Sequence, residues 1–167
     1  EVGNDEYTTR FGGRKVNHLD VLDVDTSNKH ATLYANLKNL KTISGSTYDC
    51  VILTQVLQLI DDVEQAIKEC YRVLKKNGVL LATVPSLSRT EAKDIKEWDY
   101  WRFTTASARY IFTKFFRKDQ IGIYGWGNAL LGSNFWLGFA VEDLPKRAFN
   151  TYDPNFICGV CIKAVKT

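Results

Sequence analysis

Acidic residues stand within and just after an apolar segment near the beginning of the chain, at positions 20, 23 and 25. A carboxylate offers two acceptor oxygens, so an acid at the end of a strand in an open parallel sheet can bind two vicinal hydroxyls, such as those of a ribose. We predict this role for Asp20. Asp23 is closer to the spacing of about 20 residues expected from a glycine loop, and Asp25 is also near. Both therefore stay open, as does a role for all three as solvated turn residues.

Polar side chains also end the run YDCVILT at residues 48–54. A nearly continuous apolar run is typical of a parallel strand that is buried on both faces. Ligands of open parallel sheets bind beyond the carboxyl ends of the strands. Thr54 and Gln55 are therefore candidate site residues.

A polar and aromatic segment without periodicity covers residues 86–103. Long loops after parallel strands commonly carry substrate-binding residues in such folds. We predict Asp99, Tyr100 and Arg102 as catalytic candidates, with Trp98 and Trp101 as an apolar or sugar-stacking wall. The alternative is a lid that packs on the core.

Alternating strands and helices must position these residues. The pattern predicts a strand in residues 16–24, a short extended piece at 31–35, and a helix at 56–74 that is followed by a strand at 79–84. Asp62 is the predicted N-cap of that helix, with Gln65 three residues later. Lys75 and Lys76 are expected at its negative end, and Asn77-Gly78 terminates it.

Strand, helix and strand within about forty residues form a right-handed crossover between parallel strands. Further on, the pattern predicts a helix at 108–115, a strand at 120–124, an apolar helix at 129–144 and a last strand at 156–165. The two late strands indicate an antiparallel edge. We predict a single α/β domain over residues 1–167, a Rossmann-like three-layer sandwich whose sheet is mostly parallel with an antiparallel edge strand.

Charge and composition exclude several classes of function. The 22 Lys and Arg residues and 19 Asp and Glu residues are scattered, which gives no electrostatic footprint for nucleic acid. Because no apolar run is long enough for a membrane span and the N-terminus lacks signal-peptide features, we expect a cytoplasmic protein. Cys158 and Cys161 have CxxC spacing but no second pair or nearby His, so no metal site is predicted.

The segment 46–85 resembles the middle of a class I methyltransferase of the type 11 kind. The resemblance rests on the positions Asp49, Thr54-Gln55, Arg72-Val73-Leu74-Lys75, Gly78 and Pro85. Residues 7–13 (YTTRFGG), 20–22 (DVL) and 99–104 (DYWRFT) resemble a bacterial subgroup found beside sugar and cell-surface polysaccharide enzymes.

This resemblance implies roles for further residues. Glu1 and Gly3 match the end of the first strand and the opening of the cofactor loop, so we expect most of that strand to be missing. Asn36 matches the position that binds the adenine amino group and is followed by Leu37. The loop continues Asn4-Asp5-Glu6 where relatives have further glycines, and Gln58-Leu59 stands where many relatives carry a His.

We therefore predict a methyltransferase that uses S-adenosylmethionine, with S-adenosylhomocysteine as product, to methylate an oxygen or nitrogen of a small or carbohydrate-like acceptor. The alternative is a catalytically inactive methyltransferase-like module that serves as a scaffold in surface-polysaccharide assembly. An NAD enzyme is disfavoured because no GxGxxG follows a strand. The expected partners are the acceptor and a second copy of the chain, with no nucleic acid and no stable membrane insertion.

Overall fold

The computed structural model describes residues 1–90 and 96–167. Its helices are α1 (Val63–Val73), α2 (Thr105–Phe112) and α3 (Ala129–Leu137), and a π-helical turn covers Thr8–Gly12. The strands are β1 (Leu22–Asp23), β2 (Leu33–Tyr34), β3 (Tyr48–Thr54), β4 (Leu74–Pro85), β5 (Ile121–Trp126) and β6 (Gly159–Val165).

The strands form two hydrogen-bonded groups, which the first residues of the chain connect. β1 and β2 are parallel, while the larger group has the order β3-β4-β6-β5, with β3 parallel to β4 and β6 antiparallel to both neighbours. Val2 pairs with Leu22 in β1, and its N–H donates to the carbonyl of Ile52 in β3 at 3.3 Å. The α/β class and the antiparallel edge are confirmed.

α1 connects the parallel strands β3 and β4, as predicted. Its N-cap is Asp62, whose carboxylate accepts a hydrogen bond from the Gln65 N–H at 3.0 Å. The helix is shorter than expected at its N-terminal end, because a separate 3₁₀ turn at Leu57–Leu59 precedes it.

The C-terminal end of α1 corrects a prediction. Lys75 and Lys76 belong to β4 rather than to the last helical turn. The ammonium of Lys166, beyond β6, instead donates to the carbonyls of Tyr71 at 2.8 Å and Leu74 at 2.6 Å. Asn77, with a φ of 63°, lies in the irregular first part of β4, where the pairing with β3 shifts register.

Two other elements are shorter than their predicted ranges. Of residues 16–24, Leu22–Asp23 form the strand, because these residues pair with β2 and with Val2. The apolar helix α3 ends at Leu137, since Gly138 adopts the left-handed conformation with a φ of 81° and closes the helix.

The core lies on one face of the larger sheet. Alternate side chains of β4 and β6, including Leu80, Val84 and Ile162, are buried in one hydrophobic core with residues of α1 and α2 such as Phe112. On the opposite face Leu81 is 39% exposed and Tyr124 is 66% exposed. Among the described residues, no helix has the length and apolar character required to cross a membrane.

Candidate active site

The carboxyl ends of the parallel strands lie along one edge of the sheet, which we call the carboxyl edge. Tyr48, which begins β3, hydrogen-bonds Asp20, which precedes β1, so the beginnings of these strands share the opposite, amino edge. Gly3, Asp23 and Thr54 consequently stand at the carboxyl edge. Open α/β sheets bind their ligands beyond this edge.

Asp23 ends β1 and is held beside Gly3 by Asn28. The Asn28 side-chain nitrogen donates to Asp23 Oδ2 at 2.6 Å and to the Gly3 carbonyl at 2.8 Å. The other carboxylate oxygen accepts the Asp25 N–H at 2.9 Å. The carboxylate is thus fixed in position at a half-buried site next to the N-terminal loop.

Asp20 lies at the amino edge, away from Gly3 and Thr54. Its carboxylate accepts hydrogen bonds from the Tyr48 hydroxyl at 2.8 Å, His18 Nε2 at 3.0 Å and the Thr32 hydroxyl at 3.3 Å. Burial acts to raise the pKa of Asp20, but the bonds from Tyr48 and His18 hold that pKa below its ordinary value. Asp23 therefore occupies the strand-end position that we assigned to Asp20 from the sequence.

Asp25, the other acid left open by the sequence, is an exposed turn residue. Its carboxylate accepts the N–H of Ser27 at 2.8 Å, and the hydrogen bonds from Ser27 lower its pKa. This is the solvated turn role that the sequence also allowed.

The Glu1 carboxylate binds backbone N–H groups at the far end of the N-terminal loop. Its carboxylate oxygens accept the N–H groups of Thr8 at 2.9 Å and Tyr7 at 3.3 Å, where the helical turn begins. Gly3 has a φ of 87°, and a side chain there would meet no atom within 4 Å. Glycine is required at this position by the backbone conformation and not by crowding.

Asn36 and Leu37 follow β2 and differ in their environments. Asn36 is exposed, and its side-chain oxygen accepts the Lys38 N–H at 2.9 Å. Leu37 is 5% exposed and belongs to the hydrophobic core. The side chain available to a ligand is therefore that of Asn36.

Gln55 turns the chain away from the end of β3. Its φ of 54° is left-handed, and its N–H donates to the Thr83 carbonyl at 3.0 Å. The Gln55 carbonyl accepts a bond from Gln58 Nε2 at 2.8 Å. A non-glycine residue in this conformation costs free energy and is common at functional sites.

The aromatic segment before α2 packs over this strand end. The Gln58 carbonyl accepts the N–H groups of Tyr100 at 2.9 Å and Trp101 at 3.2 Å, and the Trp101 indole donates to the Ile60 carbonyl at 2.7 Å. The rings of Trp98, Tyr100 and Trp101 remain about half exposed. The segment is thus both anchored to the core and open to solvent.

Asp99 and Arg102 form a two-point ion pair within this segment. The guanidinium donates to the two Asp99 oxygens at 2.5 and 2.8 Å, and the Asp99 side chain is 2% exposed. Arg102 also donates to the Arg89 carbonyl at 2.9 Å. In this arrangement the pair stabilises the fold of the loop.

Asn28 and Gln58 were not among the predicted site residues. In the sequence, Asn28 has the features of an ordinary turn residue, and its contact with Gly3 joins residues that are 25 positions apart. Strand pairing creates that contact, so the sequence offers no direct signal for it. Gln58-Leu59 stands where many relatives carry a His, and the chain fold brings the Gln58 carbonyl into contact with the aromatic segment.

Comparison with known proteins agrees with this architecture. A structure of an S-adenosylmethionine-dependent methyltransferase from Archaeoglobus fulgidus is 14% identical with a TM-score of 0.57, covering 87% of this chain and 75% of that chain. Phosphoethanolamine N-methyltransferase 2 of Haemonchus contortus, solved with phosphomonomethylethanolamine and S-adenosylhomocysteine, is 15% identical with a TM-score of 0.58, covering 96% of this chain and 45% of that chain. The fold is that of the S-adenosylmethionine-dependent methyltransferases.

Residues 7–82 match the family model described as a methyltransferase domain. A probable polyketide synthase 5 of Dictyostelium discoideum is 31% identical over 110 residues, which are 62% of this chain and 4% of that protein. The chain thus spans about 4% of the length of this curated relative. The family match over residues 7–82 and the fold both agree with the methyltransferase class that we predicted from the sequence.

Proposed function

We propose that this chain transfers a methyl group from S-adenosylmethionine to a nitrogen or oxygen of a small acceptor at the carboxyl edge. The observation that carries the proposal is the Asn28 amide, which fixes the Asp23 carboxylate against the Gly3 carbonyl. Asp23 is thus an acid at the end of β1, beside the N-terminal loop that contains Gly3. The same juxtaposition serves nucleotide cofactors in Rossmann-like folds generally.

The residues of the edge fit the cofactor. Each carboxylate oxygen of Asp23 accepts one hydrogen bond from the protein, which leaves acceptor capacity for the two ribose hydroxyls. Asn36 Oδ1 likewise retains acceptor capacity for the adenine amino group. Gly3, with its open surroundings, lets a ligand approach the backbone closely.

The sulfonium supplies an already activated methyl group, so the protein's contribution is alignment and the exclusion of water. Thr54 and Gln55 border the place where donor and acceptor meet. Tyr100 and Trp101, which are bound to the Gln58 carbonyl, form the adjoining wall. Their exposed rings suit an apolar or sugar-like acceptor, and the proposed setting is surface-polysaccharide synthesis in the cytoplasm.

A second function is favoured by the loop Asn4-Asp5-Glu6. These residues replace the glycines expected next to the cofactor's methionine portion, and two of them are acidic. A methyltransferase-like module that has lost cofactor binding would have such a loop. It would act as a scaffold or binding partner.

Titration calorimetry with S-adenosylmethionine and S-adenosylhomocysteine separates these functions. We expect both to bind, and Asp23→Ala to weaken their affinity by at least about 1 kcal/mol, since it removes a charge-assisted hydrogen-bond acceptor. The matched control is Asp20→Ala, which removes a carboxylate from the amino edge and should leave affinity unchanged in the folded protein. Failure of the wild-type chain to bind either compound would reject the enzymatic function and favour the scaffold.

A further inference from the structure

A buried polar atom at the carboxyl edge lacks a hydrogen-bond partner. Gln58 is 4% exposed, and its side-chain oxygen Oε1 has no partner among the described residues. The amide orientation follows from its other end, because Nε2 donates to the Gln55 carbonyl at 2.8 Å. Leaving such an acceptor unpaired costs free energy, so its presence requires an explanation.

The position of Gln58 connects this atom with methyl transfer. Gln58 lies three residues beyond Gln55, which turns the chain at the end of β3. Its own carbonyl binds the backbone of Tyr100 and Trp101. The unpaired oxygen therefore belongs to the junction between the strand end and the aromatic wall, where the proposed function places the acceptor.

A carboxamide oxygen accepts hydrogen bonds but does not act as a base near neutral pH. The two carboxylates nearest to it in the sequence are engaged, because Asp61 binds the Lys38 ammonium at 2.5 Å and Asp62 accepts the Gln65 N–H at 3.0 Å. Asp99 of the aromatic segment is paired with Arg102. His18 binds Asp20 at the amino edge, and His30 lies in the turn between β1 and β2. Within the described part of the chain, Gln58 Oε1 thus offers an acceptor for a hydrogen bond, whereas the side chains of Asp61, Asp62, Asp99 and His18 are engaged by other partners.

A hydrogen-bond acceptor with engaged carboxylates around it favours one class of methyl acceptor over another. An aliphatic hydroxyl must lose its proton to a base as it is methylated. A neutral amine already has a nucleophilic lone pair and can keep its N–H groups until after the transfer. An N–H donor would also satisfy the unpaired oxygen.

We infer that Gln58 Oε1 accepts a hydrogen bond from the substrate that receives the methyl group, and that this methyl acceptor is a neutral amine. This rests on the proposed function. The nitrogen lone pair forms the N–CH₃ bond while the C–S bond breaks and its electron pair stays on sulfur. The product is an ammonium ion together with S-adenosylhomocysteine, and the ammonium later releases one proton to water.

The hydrogen bond strengthens during this step. As the nitrogen becomes positive, its N–H···Oε1 bond changes from neutral to charge-assisted, and charge-assisted bonds are about twice as strong. An interaction that is stronger in the transition state than in the ground state raises kcat rather than affinity alone. Gln58 would therefore affect turnover more than cofactor binding.

Matched acceptor pairs test the inference. Benzylamine is compared with benzyl alcohol, and glucosamine with glucose, by measuring the S-adenosylhomocysteine formed by the wild-type chain. We expect transfer to an amine and none to its alcohol counterpart. Transfer to an alcohol, or to neither member of any pair, would overturn the inference, whereas a wild-type chain that does not bind S-adenosylmethionine would overturn the proposed function itself.

Gln58→Leu then tests the residue. It should lower kcat/KM for the reactive amine at least about tenfold, or about 1.4 kcal/mol, with an unchanged dissociation constant for S-adenosylhomocysteine. Gln120→Leu, the same substitution before β5, is the control and should keep full activity. If a structural water is the sole partner of Oε1, Gln58→Leu will keep the wild-type kcat/KM, and the inference fails.

Discussion

Asp20 joins three separate parts of the chain through one carboxylate. It accepts hydrogen bonds from His18 beside it, from Thr32 just before β2 and from Tyr48 at the start of β3. Its side chain is 20% exposed, so solvent screens these contacts only in part. At the residue scale, this acid has a structural role at the amino edge.

This role predicts a pH-dependent contribution to stability. Because hydrogen bonds from Tyr48 and His18 outweigh burial and lower the folded-state pKa of Asp20, its contribution is complete above the ordinary value of 3.8 and is lost as the pH falls through the lower folded-state pKa. Asp20→Asn should reduce the free energy of unfolding by about 1 kcal/mol at pH 7. Denaturant titrations of both proteins between neutral and acidic pH measure this difference.

Asp49→Asn provides the control, since its carboxylate is 84% exposed and faces Lys75. A pair of that kind contributes little to stability, so this variant should match the wild type. A constant difference between Asp20→Asn and the wild type, from neutral pH to strongly acidic pH, would refute the role of the Asp20 charge.

The sequence alone could not decide between Asp20 and Asp23 as the acid at the end of the strand. An acid within or after the first apolar segment is visible in the sequence, and Asp23 is the acid that ends β1 in the structure. Which acid ends the strand depends on the pairing of Leu22 with Leu33 and with Val2. Those contacts come from distant parts of the chain, so spacing alone left three candidates.

Helix α1 is attached to the loop after β2 by a partly buried ion pair. Arg72 donates to Glu69 and to the carbonyls of Leu40 and Ile43 at 2.7 and 2.9 Å. Glu69 also accepts the Leu40 N–H at 2.8 Å, and the hydrogen bond from Arg72 is the main cause of its lowered pKa. This element therefore holds the chain that carries Asn36.

Arg72→Met should lower the free energy of unfolding by about 2 kcal/mol, because it leaves the Glu69 charge and two loop carbonyls without their partner. Chemical denaturation measures the loss. The comparison is Arg117→Met, which removes an exposed pair with Asp119 and should change stability by less than about 0.5 kcal/mol. Equal effects of the two substitutions would contradict the anchoring role.

The same element shows where sequence patterns reach their limit. The N-cap at Asp62 was predictable because capping is local, with Gln65 only three residues away. The C-terminal partner was not, because Lys166 lies more than ninety positions beyond the carbonyls it binds. Lys75 and Lys76 have the local signature of a helix end, but pairing with β3 places them in a strand.

In the whole molecule, residues Glu1–Gly3 lie at the centre of the strand order, between β1 and β3. The α/β class and the antiparallel edge were predictable, because apolar runs and a crossover helix depend on short segments. Which apolar side chains are exposed to solvent was not predictable. One face of the larger sheet carries exposed Leu81 and Tyr124, and α3 exposes Trp136 and Leu137.

The carboxyl edge as a binding site for S-adenosylmethionine is tested most directly by a crystal structure of the chain with S-adenosylhomocysteine. We predict that both ribose hydroxyls bind the Asp23 carboxylate and that the adenine lies near Asn36. The sulfur should face Thr54 and the aromatic wall. A ligand bound at the amino edge beside Asp20, or crystals soaked to saturation without a ligand at Asp23, would contradict it.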